Sequence, residues 1–118
     1  MLDNRQNINN FCNIQFCEEF LTTISKERSR ADRNKHRFLV LVFEVDFEST
    51  DFSMTTKFLN QVCPHIRVYD EVGWFNKKSI GLILHDSTFK GAKRIIDELK
   101  QVNDIDKYIS KYNIYQYP

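Results

Sequence analysis

The stretch RFLVLVFEV, residues 37–45, constrains the fold more than any other part of the chain. It is a nearly continuous run of aliphatic and aromatic β-formers, without the polar alternation of a strand that faces water on one side. Such a run predicts a central strand buried on both faces. A strand of that kind needs cover above and below.

The flanking sequence supplies the other elements. FCEEFLTTISKERSRADRNKH, residues 16–36, predicts a helix with Phe16, Phe20, Leu21 and Ile24 on one face. Glu18 and Glu19 stand early and Arg28, Arg30, Arg33 and Lys35 late, in the order the helix dipole favours. After the apolar strand, STDFSMTTKFLNQVCPHI predicts a shorter helix, with Ser53 as N-cap, Phe58, Leu59 and Val62 on its apolar face, and Pro64 limiting its end. Two strands follow at about 67–75 and 79–85, turning at NKK. DSTFKGAKRIIDELKQV predicts a third helix, capped by Asp86 or Ser87, with Phe89, Ala92, Ile96 and Leu99 on one face. KYNIYQYP alternates enough to close the chain as a strand ending at Pro118.

After the leading helix the order is β-α-β-β-α-β. The expectation is therefore an α+β, ferredoxin-like fold: one antiparallel sheet with two helices on one face and an additional N-terminal helix. The leading helix would pack at an edge of the sheet or against a second copy. The length of 118 residues favours one domain, read as 11–118 behind a flexible, Asn-rich lead-in at 1–10.

Composition narrows the function classes. Seventeen basic and sixteen acidic residues nearly cancel, so no general pull toward nucleic acid or anionic membrane is expected. No apolar run reaches the length of a membrane span, and the polar N-terminus lacks the apolar core of a signal peptide. Cys12, Cys17 and Cys63 form no CxxC pair and read as free thiols of a cytoplasmic protein. His36, His65 and His85 lie far apart, so a site built from them requires the fold to assemble it.

Three segments together carry a family resemblance. ERSRADRNKHRFLVLVFEVD resembles the opening of GGDEF domains, the diguanylate cyclase fold, where an Arg-Ala-x-Arg helix end runs into a strand closing with Asp-x-Asp. RVYDEVGWF resembles the family's Arg-x-x-Asp segment and following strand. KSIGLILHDSTFKGAKRIIDELK resembles its second hairpin strand and next helix. The resemblance spans about residues 16–102. More narrowly, Trp74 and the Tyr-x-Tyr-Pro ending resemble degenerate GGDEF-like segments attached to bacterial sugar transferases of exopolysaccharide synthesis.

The resemblance implies an active-site frame without its signature. At the hairpin turn, where the family carries two glycines and acidic residues, this chain has Asn76-Lys77-Lys78-Ser79-Ile80. Lysines cannot replace carboxylates as ligands of Mg²⁺, a hard ion that takes oxygen donors. Glu44 and Asp46 stand where the family has Asp-x-Asp. Two carboxylates at i and i+2 share a strand face and are vestigial metal-ligand candidates, or solvated strand-end charges. No catalytic residue and no cofactor are expected.

Arg67 and Asp70 match the family's Arg-x-x-Asp, the inhibitory site for cyclic di-GMP. A guanidinium can donate twice to guanine, and a carboxylate can accept from its N1 and N2 hydrogens. Arg94 is the candidate second arginine. The same spacing also suits a local ion pair. The resemblance thus implies a non-catalytic regulatory or protein-interaction module, acting through a protein partner or self-association. A cyclic di-GMP receptor using Arg67 and Asp70 is the alternative, and an active nucleotide cyclase the less favoured one.

Overall fold

A computed structural model describes residues 14–67, 69–85, 87–101 and 107–118. The elements are β1 (Ile14–Gln15), α1 (Cys17–Asn34), β2 (Phe38–Val45), α2 (Phe52–Val62) with a 3₁₀ turn at Cys63–His65, β3 (Glu71–Asn76), β4 (Ser79–His85), α3 (Phe89–Lys100) and β5 (Ile109–Tyr117). The sheet order is β1-β3-β4-β2-β5. Strands β2 to β5 make the expected antiparallel ferredoxin-like unit, with β2 between β4 and β5. A short fifth strand, β1, was not foreseen; it adds parallel to β3 and makes the sheet mixed. The lead-in at 1–10 and Cys12 lie outside the described residues.

The central run behaves as its composition demands. Leu39, Leu41, Phe43 and Val45 point into a core with Phe58 and Val62 of α2 and Ala92, Ile96 and Leu99 of α3. Phe38, Val40 and Val42 point the other way, into a second core with Phe20 and Ala31 of α1. This is the period-two alternation of a strand with both faces apolar. Each such side chain contributes about 1.5–3 kcal/mol when fully buried. The leading helix therefore covers the sheet's second face, rather than an edge or another copy.

That face is flattened to receive α1. Gly73 of β3 and Gly81 of β4 are cross-strand partners, and the Phe20 ring lies over both. Phe20 is fully buried. The rest of the expected α1 face is looser: Phe16 and Leu21 are exposed and Ile24 half-buried.

Helix ends differ in detail from the sequence reading. Asp51, not Ser53, caps α2 by accepting from the Met54 N–H at 3.0 Å. Thr88 caps α3 by accepting from the Gly91 N–H at 3.0 Å, in place of Ser87; Asp86 lies outside the described residues. Phe89 is consequently the first helical residue and is exposed, while Ile95 joins the buried face. Helix α1 ends at Lys35 in the left-handed region, φ 59°. Cys17 is a free thiol that donates to the Phe75 carbonyl oxygen at 3.3 Å. Cys63, read as a thiol, is disulfide-bonded.

Candidate functional site

The Arg67–Asp70 segment is a turn joining the 3₁₀ end of α2 to β3. The Asp70 N–H donates to the Arg67 carbonyl at 3.0 Å. The Asp70 carboxylate returns the contact: Oδ2 accepts from the Arg67 N–H and Oδ1 from the His85 N–H, each at 3.0 Å. Asp70 is buried. Its charge thus staples the turn to the end of β4, a use of a carboxylate worth about 1.5–3 kcal/mol per charged hydrogen bond. The two side chains do not make the local ion pair their spacing allowed. Instead, the Arg67 guanidinium donates to the Tyr69 hydroxyl at 2.7 Å and the His85 carbonyl at 3.0 Å.

Arg67 and Arg94 are brought together. They line one open cleft of about 580 Å³ with Ser87, Thr88, Lys90, Gly91, Lys93 and Asp97. The N-terminus of α3 forms part of its wall, so the helix dipole adds to the side-chain charge. Four cations against one carboxylate make this cleft suited to a phosphate-bearing ligand. Asp70 does not line it. Lys90 and Lys93 escaped the sequence reading, although their spacing with Arg94 marks one basic flank of a helix.

Glu44 and Asp46 also share a cleft, of about 480 Å³, with Lys78, Lys107 and Ser110. Glu44 is already engaged: Oε1 accepts from the Ser110 hydroxyl at 3.1 Å, and Oε2 stands 3.8 Å from the Lys111 ammonium. Among the described residues, no group of three or more His, Cys, Asp or Glu is arranged to hold a metal ion. The hairpin turn opposite is held by two main-chain carbonyls and one side chain. The Lys78 carbonyl accepts from the Val45 N–H at 2.8 Å and the Lys77 carbonyl from the Ser49 N–H at 3.2 Å. Asn76 Oδ1 accepts from the Lys78 N–H at 2.9 Å. Neither lysine has a positive φ, so this turn does not need glycine.

A third polar site was not anticipated. Glu27, His36, Glu71 and His85 converge at the α1 end of the sheet, in a cleft of about 460 Å³ with Arg30, Asn34 and Tyr69. The fold thus assembles two of the three histidines, while His65 pairs separately with Glu98 at 2.9 Å. The signal was present in α1: Phe20, Ile24, Glu27 and Ala31 recur at helical spacing, and a carboxylate in such a series faces the core.

No family model matches the sequence, and no curated protein matches it. The fold, in contrast, is that of GGDEF domains. A diguanylate cyclase protein from Thermotoga maritima superposes with a TM-score of 0.67 at 16% identity, over 90% of this chain and 82% of that one. The coiled-coil and GGDEF protein DgcB from Caulobacter crescentus, in complex with c-di-GMP, gives 0.67 at 8% identity, over 92% and 68%. The diguanylate cyclase SiaD from Pseudomonas aeruginosa, in complex with its activator SiaC, gives 0.60 at 13% identity, over 90% and 46%. No helix among the described residues is long and apolar enough to cross a membrane.

Proposed function

We propose that this chain is a degenerate, non-catalytic GGDEF-fold module that acts in regulation through protein contacts. The observation that carries this reading is the composition of the strand-end cleft. Two strand-end carboxylates face a lysine turn where a metal-dependent cyclase needs further acidic ligands, and Glu44 is held by Ser110 and Lys111. The complex of SiaD with its activator supports binding of a protein partner by this fold. The test is incubation with GTP and Mg²⁺ or Mn²⁺, with separation of the nucleotides. No cyclic di-GMP is expected. Product that disappears in Glu44→Ala and Asp46→Ala variants overturns the proposal.

A second reading is favoured by the basic cleft: reception of cyclic di-GMP, as in the DgcB complex. The convergence of Arg67 and Arg94 supports it. The recognition expected of Asp70 changes, however. Its two oxygens serve the Arg67 and His85 N–H groups, so its role is to hold Arg67 in place, and the arginines carry the ligand contact. Calorimetry with cyclic di-GMP separates the readings; absence of heat and of a thermal shift at high ligand concentration removes this one.

A cytoplasmic place in exopolysaccharide synthesis, beside a sugar transferase, rests on the sequence resemblance at Trp74 and the Tyr-x-Tyr-Pro ending. Both features also have packing roles. Trp74 is buried with its ring 6.0 Å from Phe47. Tyr117 packs on Phe38 at 5.6 Å and donates to Asp32 at 2.8 Å. A sugar-transferase reading frame next to the coding sequence would support that placement.

A further inference from the structure

Glu27 is 3% exposed, and a carboxylate so buried must be compensated. Its Oε1 accepts from Arg30 at 3.1 Å. Its Oε2 lies 2.9 Å from His36 Nε2 and 3.5 Å from His85 Nδ1. On its far side, His85 Nε2 lies 3.3 Å from Glu71 Oε2. Glu71 Oε1 accepts from Gln15 Nε2 at 3.2 Å, and Gln15 Oε1 accepts from the Thr23 hydroxyl at 2.9 Å, back on α1. The imidazole of His85 therefore spans two carboxylates, one from α1 and one from β3.

That geometry selects a protonation state. A neutral imidazole has one N–H, so one of its nitrogens would present a lone pair to a carboxylate. Only the imidazolium carries an N–H on both nitrogens, so that it donates to Glu71 and sets its positive charge 3.5 Å from Glu27. We propose that His85 is a proton-operated latch: its imidazolium ties helix α1 to the β3–β4 hairpin, and its deprotonation loosens α1 from that end of the sheet.

The charged groups around the ring agree. Glu27 and Arg30 face it from α1, and His36 shares Glu27 from the α1–β2 connection. Glu71 faces it from β3, and Asp70 and Tyr69, whose ring lies 6.4 Å away, from the turn before β3; the Arg67 guanidinium bonds the His85 carbonyl instead. The Glu71 hydrogen bond, with the charges of Glu27 and Asp70, holds His85 above the ordinary histidine value against the desolvation that opposes it. The same bond to His85, helped by Gln15, holds Glu71 below the usual carboxylate value. His85 is the raised member, so its contribution is complete below about pH 6.5 and is lost as pH rises through its folded value. Glu71 is the lowered member, so its contribution is lost on the acid side. The latch is closed between those two limits.

The test uses the whole chain. The His85 ring is followed by NMR from about pH 5.5 to about pH 9, and amide exchange, corrected for intrinsic rate, is followed over the same range. The expected result is a His85 midpoint above that of a free histidine. Protection of the α1 amides should fall through the same midpoint, by about tenfold per pH unit of elevation, while β2 and β4 amides keep theirs. His85→Gln should give weaker, pH-independent protection of α1. Glu71→Gln, at a half-exposed site, should lower the midpoint and keeps the test available if His85→Gln does not fold. A His85 midpoint at or below that of free histidine, α1 protection flat through the midpoint, or loss in step with the sheet would each overturn the latch.

Discussion

Replacing Gly73 by alanine should be among the most damaging single-methyl additions this domain can receive. A Cβ at position 73 would overlap Cδ1 and Cγ of Phe20 and come within 2.6 Å of the Phe20 Cβ. Phe20 is 0% exposed and cannot swing aside without leaving the second core. Overpacking of this kind costs about 1–3 kcal/mol where the surroundings yield, and expulsion of a buried Phe about 3–5 kcal/mol. A cost of about 3 kcal/mol is expected, against a total of about 5–15 kcal/mol for a natural domain. At roughly 4 °C per kcal/mol, Tm should fall by about 12 °C. Gly81→Ala should cost less, because its Cβ would meet the far rim of the ring, 2.7 Å from Cε2 and 3.0 Å from Cζ. The assay is urea unfolding of Gly73→Ala, Phe20→Ala and the double variant. Phe20→Ala alone should cost about 3–5 kcal/mol, and in its background the added methyl enters vacated space, so its cost should nearly vanish. Coupling of about 2–3 kcal/mol is expected; additivity within about 0.5 kcal/mol would refute the steric argument.

The remaining expectations are simpler. Lys35→Gly should raise stability by about 1 kcal/mol, read as a higher urea midpoint, because glycine occupies the left-handed region at φ 59° without the Cβ penalty. Asp70→Asn should cost about 1–3 kcal/mol in the same assay, because an amide can accept for only one of the Arg67 and His85 N–H groups; unchanged stability would show that the carboxylate is not the staple. If cyclic di-GMP binds the basic cleft, Arg67→Ala should weaken it about tenfold to a hundredfold by calorimetry. Lys90→Ala and Lys93→Ala should weaken it less and chiefly at low salt, since exposed charges are screened.

Most of the fold could be read because local pattern and tertiary demand agreed. The run at 38–45 has no polar position to offer solvent until Glu44, so its central place followed from composition alone. What escaped detection depends on pairings across the chain. Strand β1 is two residues long, and its pairing with β3 lies in no local pattern. The side on which α1 docks was set by Gly73 and Gly81, whose meaning is visible only once they are seen to be cross-strand partners. Helix caps missed by one or two residues because Asp51, Ser53, Ser87 and Thr88 are all competent acceptors, and the backbone path decides among them. The basic cleft is half legible: Arg67 and Arg94 stand out separately, but the Arg-x-x-Asp spacing points Asp70 at a ligand, whereas the Arg67 and His85 backbone amides hold it. Glu27 is camouflaged within a basic helix end, although its register with Phe20 and Ala31 places it inward.

The hairpin between β3 and β4 has a consequence for how such a domain changes over generations. Its bend is secured by the carbonyls of Lys77 and Lys78 and by the Asn76 side chain, whereas the lysine side chains make none of these bonds. Substitutions at positions 77 and 78 can therefore accumulate while the bend persists, since every residue but proline supplies the Lys78 N–H and any residue supplies the two carbonyls. Inheritance of the scaffold and inheritance of the chemistry are uncoupled at this tip. A lineage can exchange what the tip presents to the strand-end cleft without passing through an unfolded ancestor, which makes the turn a natural place to graft new ligands onto an old frame.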